Sequence, residues 1–256
     1  MSEPASRIRT VDGLRGLAAL LVVVDHAIDD SWGLGSWTEQ NHGITVFALL
    51  TGFLLSGQFL RARLGGRHLP SLIPFLRARV VRVFPAYWLA LGVAAVTIGL
   101  HAIGPGDVPK VITLTQTFDT DTPYEGLIPM WSLSLFLSFY FFLPAWAWLR
   151  SRGDREAEPP GSILRREVKF LFALVLLALV VRTFSLTDPI ANDPAFSLFG
   201  RADWFAIGML LTVLVIARSR GIAPGYLSLP GVHPGWAFAG AAALTVISAL
   251  TPAGLG

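Results

Sequence analysis

No cysteine occurs among the 256 residues. That excludes disulfides, a thiolate-held metal and a cysteine nucleophile. Charge is scarce as well: Asp, Glu, Lys and Arg supply 14% of the chain, against about 25% in ordinary soluble domains. Lysine is almost missing, with Lys110 and Lys169 its two occurrences. Nothing after Lys169 can form a retinal Schiff base, which argues against a retinal receptor. The net charge of +3 is small and confined to particular loops, so nucleic-acid binding is not indicated. No His, Asp and Glu residues stand at metal-ligand spacing, so no metal and no resident cofactor are expected. Low-complexity tracts and fixed-period repeats are also lacking, which leaves residues 1–256 as a single domain.

What is abundant is apolar surface. Hydrophobic residues make up 53% of the chain, and the mean hydropathy is +0.59. The pattern predicts an all-α fold, a polytopic membrane bundle of about seven transmembrane helices. They fall at 14–28, 44–60, 83–103, 129–149, 170–186, 198–217 and 235–250. Arg and Lys mark alternate connections. Arg7 and Arg9 precede the first helix, and the second, fourth and sixth loops carry most of the remaining arginines. The intervening loops carry acids and only Lys110. Such alternation predicts a cytoplasmic N-terminus in a multi-pass protein of the inner or plasma membrane. The first helix resembles a signal peptide, but Asp25-His26 ends its apolar run and no small-residue cleavage site follows, so it is expected to be retained. Seven spans put the C-terminus outside.

The first helix carries the most informative pair. Arg15 and His26 are eleven residues apart, three helical turns plus about 20°, so both point the same way. Their separation along the axis is roughly 16 Å, about half of the ~30 Å hydrocarbon core. The uninterrupted apolar stretch, 16–24, is too short to span. At least one of the two therefore lies at or inside the membrane boundary, where ionisable residues mark pathways and reactive sites. The alternative is that Arg15 snorkels to the cytoplasmic surface while His26 sits in the outer interface.

Five motifs in order resemble the membrane acyltransferase-3 family, whose members O-acylate sugars and other acceptors. The first is Val11-Asp12-Gly13-Leu14-Arg15-Gly16-Leu17-Ala18-Ala19-Leu20, followed by His26. The second is Thr51-Gly52-Phe53-Leu54-Leu55-Ser56-Gly57. Next comes the basic stretch from Phe75 through Arg77, Arg79 and Arg82 to Pro85-Ala86-Tyr87-Trp88. Trp131-Ser132-Leu133-Ser134 with Phe139-Tyr140 is the fourth. Arg201-Ala202-Asp203-Trp204-Phe205-Ala206-Ile207-Gly208 is the fifth. Two departures stand out. The family carries one or two glutamates where this chain has Phe136-Leu137, and the family domain has more helices than the seven read here. The resemblance thus implies a single acyltransferase-3-like domain lacking the last helices.

The residues themselves fit acyl transfer. The reaction needs a base for the acceptor hydroxyl and donors for the developing oxyanion. His26 suits the first role near neutral pH. Asp29 and Asp30, three and four residues on, can reach it along a continuing helix and fix its tautomer; they can equally be solvated loop charges. Arg77, Arg79 and Arg82 fit phosphate recognition by guanidinium forks, or positive-inside topology alone. With Arg15 they are the expected acyl-CoA site, acyl-CoA being a co-substrate. Arg61, Arg63 and Arg67 are expected only to set topology. Arg182, Arg201 and Asp203 are read as an outer vestibule for a glycan or other hydroxylated acceptor, or as a structural ion pair. Trp131 and Ser132 join that side by motif membership only.

The leading expectation is an O-acyltransferase that moves an acyl group, acetyl in the simplest case, from cytosolic acyl-CoA to a sugar hydroxyl. Its rival is a catalytically degenerate scaffold or partner protein, favoured by Phe136-Leu137. A transporter is the third reading. The topology is tested by cysteine labelling, because the chain has no native thiol. A cysteine beside Arg155 is expected to resist an impermeant thiol reagent in intact cells, and one beside Asp121 to react; the reverse pattern refutes the orientation.

Overall fold

The structure, a computed structural model, describes residues 9–29, 42–97, 99–100, 103–104, 106–118, 130–155, 158–187 and 197–222. Among them there is no strand. The helices are α1 (Arg9–Asp29), α2 (His42–Leu64), α3 (Leu72–Thr97), the short α4 (Val108–Thr113), α5 (Trp131–Ser151), α6 (Pro160–Thr187) and α7 (Ala202–Ser219), with a 3-10 turn at Gln116–Phe118. The seventh predicted span, 235–250, lies outside the described residues. Among the described residues, four helices are long and apolar enough to cross a membrane: α2, counted from Gly43, and α3, α5 and α7. The apolar part of α1, Gly13–Val24, is shorter. Helix α6 carries Arg165, Arg166, Glu167, Lys169 and Arg182 along its length. The chain is an all-helical membrane bundle.

Two helices begin well before the sequence-predicted positions. Helix α3 starts at Leu72 instead of residue 83, so Arg77, Arg79 and Arg82 are helical and not in a loop. Pro74 falls in its first turn, where a missing N–H costs nothing. The interior Pro85 is tolerated, as prolines are in membrane helices. Helix α6 begins at Pro160, ten residues early, also with proline at its first position. Apolar periodicity misses such starts because arginines interrupt it after the first turn, Arg77, Arg79 and Arg82 in α3 and Arg165 and Arg166 in α6, and arginine is itself a good helix former.

Helix α2 is the centre of the bundle and packs most extensively on α7. Ala48, Gly52 and Ser56 recur every fourth residue and are buried there. A methyl group added at Gly52 would run into the Phe205 carbonyl, and one at Gly208 into the Leu49 carbonyl. The backbones meet because neither residue has a side chain. Ser56 Oγ donates to Thr212 Oγ1 at 3.1 Å, and that hydroxyl donates to the Phe53 carbonyl at 2.6 Å. Behind this crossing, Phe205 stacks on Phe139 at 4.1 Å between centroids. The outward face of α3 is open, with Leu89 and Val96 69% and 84% exposed. In a bilayer such surface meets lipid at no cost.

Beyond the central crossing, a charge network closes the end of the bundle where the arginines gather. The buried Arg63 forks onto Asp154, with Nε to Oδ2 at 2.9 Å and Nη2 to Oδ1 at 3.1 Å. Its Nη1 donates to Glu167 Oε2 at 2.8 Å. Trp146 Nε1 donates to the other Glu167 oxygen at 2.8 Å. Arg166 bridges Asp154 and Glu158, both at 2.8 Å. The expectation that Arg63 only sets topology is therefore corrected: it ties α2 to α6 and to the α5–α6 connection. Nothing in the local sequence pairs residues 63 and 167, which are 104 positions apart.

Replacement of Gly208 by Ala is expected to force α2 and α7 apart and to destabilise by about 1–3 kcal/mol or more, the usual range for overpacking. Thermal unfolding in detergent measures this; an unchanged midpoint refutes the close crossing.

Candidate active site

Four helices, α1, α2, α3 and α5, enclose a cavity of about 390 Å³. Each presents one face to it at helical spacing. Helix α1 gives Arg15 and Val22, and α2 gives Ile44, Phe47, Thr51 and Leu54. Arg79, Arg82 and Val83 come from α3, and Ser132, Leu133, Phe136 and Tyr140 from α5. From Ile44 to Leu55 the cavity follows α2 for eleven residues, roughly 16 Å.

The two ends of the cavity differ. Arg15, Arg79 and Arg82 converge at the basic end, close enough to the Tyr140 phenol to act on it electrostatically. Arg79 also lies over the Phe75 ring, 4.9 Å from its centroid. Among the described residues no carboxylate lines the cavity, and none of the three guanidiniums is ion-paired with one of them. Toward the opposite end the wall is hydrocarbon, interrupted by Thr51 and Ser132. Concentrated positive charge without a counter-ion, beside low-dielectric walls, attracts an anion strongly.

Of the sequence-predicted donor residues, the structure thus brings together Arg15, Arg79 and Arg82. Arg77 is exposed and lies off the cavity. Helix α1 continues to Asp29, so His26 follows Val22 by one turn, and Asp29 stands three residues beyond His26 in unbroken helix. The side chains of His26 and Asp29, and all of Asp30, lie outside the described residues. Ser132 reaches the cavity, while Trp131 is buried in the core. Phe136 faces the cavity; Leu137 does not line it.

Arg182, Arg201 and Asp203 lie elsewhere, where α6 ends and α7 begins. Arg182 Nη2 donates to Asp203 Oδ2 at 2.9 Å. That is the interhelical ion pair held as the alternative to a vestibule. Asp203 is 1% exposed, and the Arg201 guanidinium lies 4.7 Å from the centroid of the Trp204 ring. None of the three lines the large cavity.

Sequence reasoning missed a clamp on the α3–α5 connection. Tyr87 Oη donates to the Val111 carbonyl, and Trp88 Nε1 to that of Ile112 at 3.0 Å. Ser134 Oγ donates to the Leu114 carbonyl at 2.7 Å. Leu114 sits in the left-handed region at φ 58°, which ends α4. Tyr87 is 2% exposed, buried within the bundle. Two of the five motifs therefore meet on one segment. Their recurrence in the family pattern was the available signal, but not its target.

A family model for an acyltransferase domain, acyltransferase 3, matches residues 8–253. The chain belongs to that family. It is a membrane acyltransferase. "Protein 2 in picA locus" from Rhizobium radiobacter is 34% identical to this acyltransferase over 151 residues, 57% of this chain and 77% of that protein. No solved structure matches the acyltransferase.

A double-mutant cycle tests the Arg182–Asp203 pair. Arg182→Ala and Asp203→Ala are each expected to destabilise by about 3 kcal/mol, because each leaves a buried charge alone. The double variant is expected to lose less than the sum, by on the order of 1–3 kcal/mol. Additive losses on thermal unfolding would contradict the pairing.

Proposed function

We propose that this acyltransferase moves an acyl group from cytosolic acyl-CoA to a hydroxyl of a sugar or glycan acceptor. The observation that carries this reading is the convergence of Arg15, Arg79 and Arg82 on one cavity. Coenzyme A brings phosphates that such guanidiniums bind, and its pantetheine arm suits a long, narrow space. The arginine-rich end faces the cytoplasm of the inner or plasma membrane, so donor and acceptor enter from opposite sides.

In the step itself, the acceptor oxygen bonds to the acyl carbonyl carbon and the thioester C–S bond breaks. His26 takes the hydroxyl proton and returns it to the departing thiolate. Asp29 or Asp30 holds the imidazole tautomer. His26 can also carry the acyl group transiently. Phe136, standing where the family has a carboxylate, favours the rival reading of a non-catalytic scaffold.

Transfer of label from acetyl-CoA to a glycan fraction, on membranes containing the protein, decides between them. Wild type is expected to transfer, and His26→Gln to lose at least about 100-fold, the usual contribution of a general base. Retention of most activity by His26→Gln would make His26 structural. A wild type that transfers nothing would support the scaffold reading.

A further inference from the structure

Hydroxyl groups inside a membrane bundle are normally engaged by the protein itself, because hydrocarbon offers them no partner. The described helices follow that rule. Thr97, Ser138 and Thr183 each donate to the carbonyl four residues back, at 2.8, 2.8 and 2.9 Å. Ser56 and Thr212 donate between helices, and Ser134 and Tyr87 donate to the α3–α5 connection. In the cavity wall, Thr51 on α2 and Tyr140 on α5 depart from it. Neither hydroxyl has a hydrogen-bond partner among the described residues.

Their surroundings differ in kind. Tyr140 stands with Arg15, Arg79 and Arg82, whose charges act on its phenol. Phosphate oxygens accept and guanidiniums only donate, so an anion held there can take a further donor from the phenol. Thr51 lies four residues from Leu55, about 6 Å along α2. The lining near it, Phe47, Leu50, Leu54 and Phe136, is hydrocarbon. A ligand amide buried against such a wall without a partner would weaken binding. The Thr51 hydroxyl can meet one, as donor or as acceptor.

We infer that Tyr140 and Thr51 are specificity-determining residues that read two different parts of the acyl donor. The Tyr140 hydroxyl donates to a phosphate oxygen beside the three guanidiniums, and the Thr51 hydroxyl pairs with an amide of the pantetheine arm. The inference rests on the acyl-CoA reading above. The arginines attract any phosphate, whereas Thr51 engages only one that trails an amide-bearing arm.

Equilibrium binding to the protein in lipid nanodiscs tests this without a known acceptor, with binding to empty nanodiscs subtracted. The probes are CoA and 3′-phospho-ADP, which is CoA without the pantetheine arm. Tyr140→Phe is expected to weaken both by about tenfold or more, the loss of a hydrogen bond to a charged group. Thr51→Val, nearly the same shape, is expected to weaken CoA by about fivefold, the loss of a neutral hydrogen bond, and to leave 3′-phospho-ADP unchanged. Thr51→Ser, which restores the hydroxyl, is expected to bind CoA as wild type does. A packing role alone would not separate the two probes in this way. An unchanged unfolding midpoint reports that each variant is folded, and Thr51→Ala repeats the test should the valine variant not fold.

Wild-type affinity for CoA in Thr51→Val, or an equal loss for both probes in that folded variant, would overturn the assignment of Thr51. Wild-type affinity for both probes in Tyr140→Phe would overturn that of Tyr140. Both results leave the acyl-CoA reading standing. A wild type that binds neither probe saturably would remove the donor reading, and this inference with it.

Discussion

An ionised side chain cannot stay in hydrocarbon unless something answers its charge, and the arrangement of this bundle follows from that constraint. Three groups of arginines meet it in three ways. Arg63 and Arg166 are satisfied by Asp154, Glu158 and Glu167, which closes one end of the bundle. Arg182 is satisfied by Asp203, which fastens α6 to α7 at the other. Arg15, Arg79 and Arg82 have no such partner among the described residues and instead face the cavity. The first two groups are architecture. The third is the group to which the proposed function assigns an anionic substrate.

The packing keeps these groups apart. Because Gly52 and Gly208 let α2 and α7 touch backbone to backbone, α7 fills one side of α2 completely. The opposite face of α2, with Ile44, Phe47, Thr51 and Leu54, is left for the cavity. One helix thus serves as both the keystone of the core and a wall of the site. The aromatic series Phe136, Phe205, Phe139 joins the two, since the cavity wall is braced by the same rings that pack the α5–α7 interface.

Much of the site was legible in the chain. The 20° offset placed Arg15 and His26 on one face of α1; Arg15 lines the cavity with Val22, seven residues on, while the His26 side chain lies outside the described residues. Arg79 and Arg82 were candidates by motif and by phosphate chemistry. Their neighbour Arg77 was not separable from them in the sequence, because a stretch read as a loop has no defined faces. Once helical, α3 turns Arg79 and Arg82 inward together, three residues apart, and Arg77 away. Glu167 and Asp154 were invisible for a different reason. Their importance lies in partners far along the chain, and a lone acid beside a basic loop reads as ordinary solvated charge.

Alone, the sequence determined the class of molecule, the helices with strong apolar character, the basic end and the family motifs, because each is a matter of local composition, period and order. Tertiary structure decided which charges are paired and which are not. It assigned Arg182 and Asp203 to each other, turned Phe136 toward the cavity and Leu137 away from its lining, and brought Tyr87, Trp88 and Ser134 onto the carbonyls of one connecting segment. Those outcomes depend on how helices rotate about their axes and where they cross. That rotation is fixed by the glycine contact between α2 and α7 and by buried ion pairs between residues up to 104 positions apart, which no local pattern encodes.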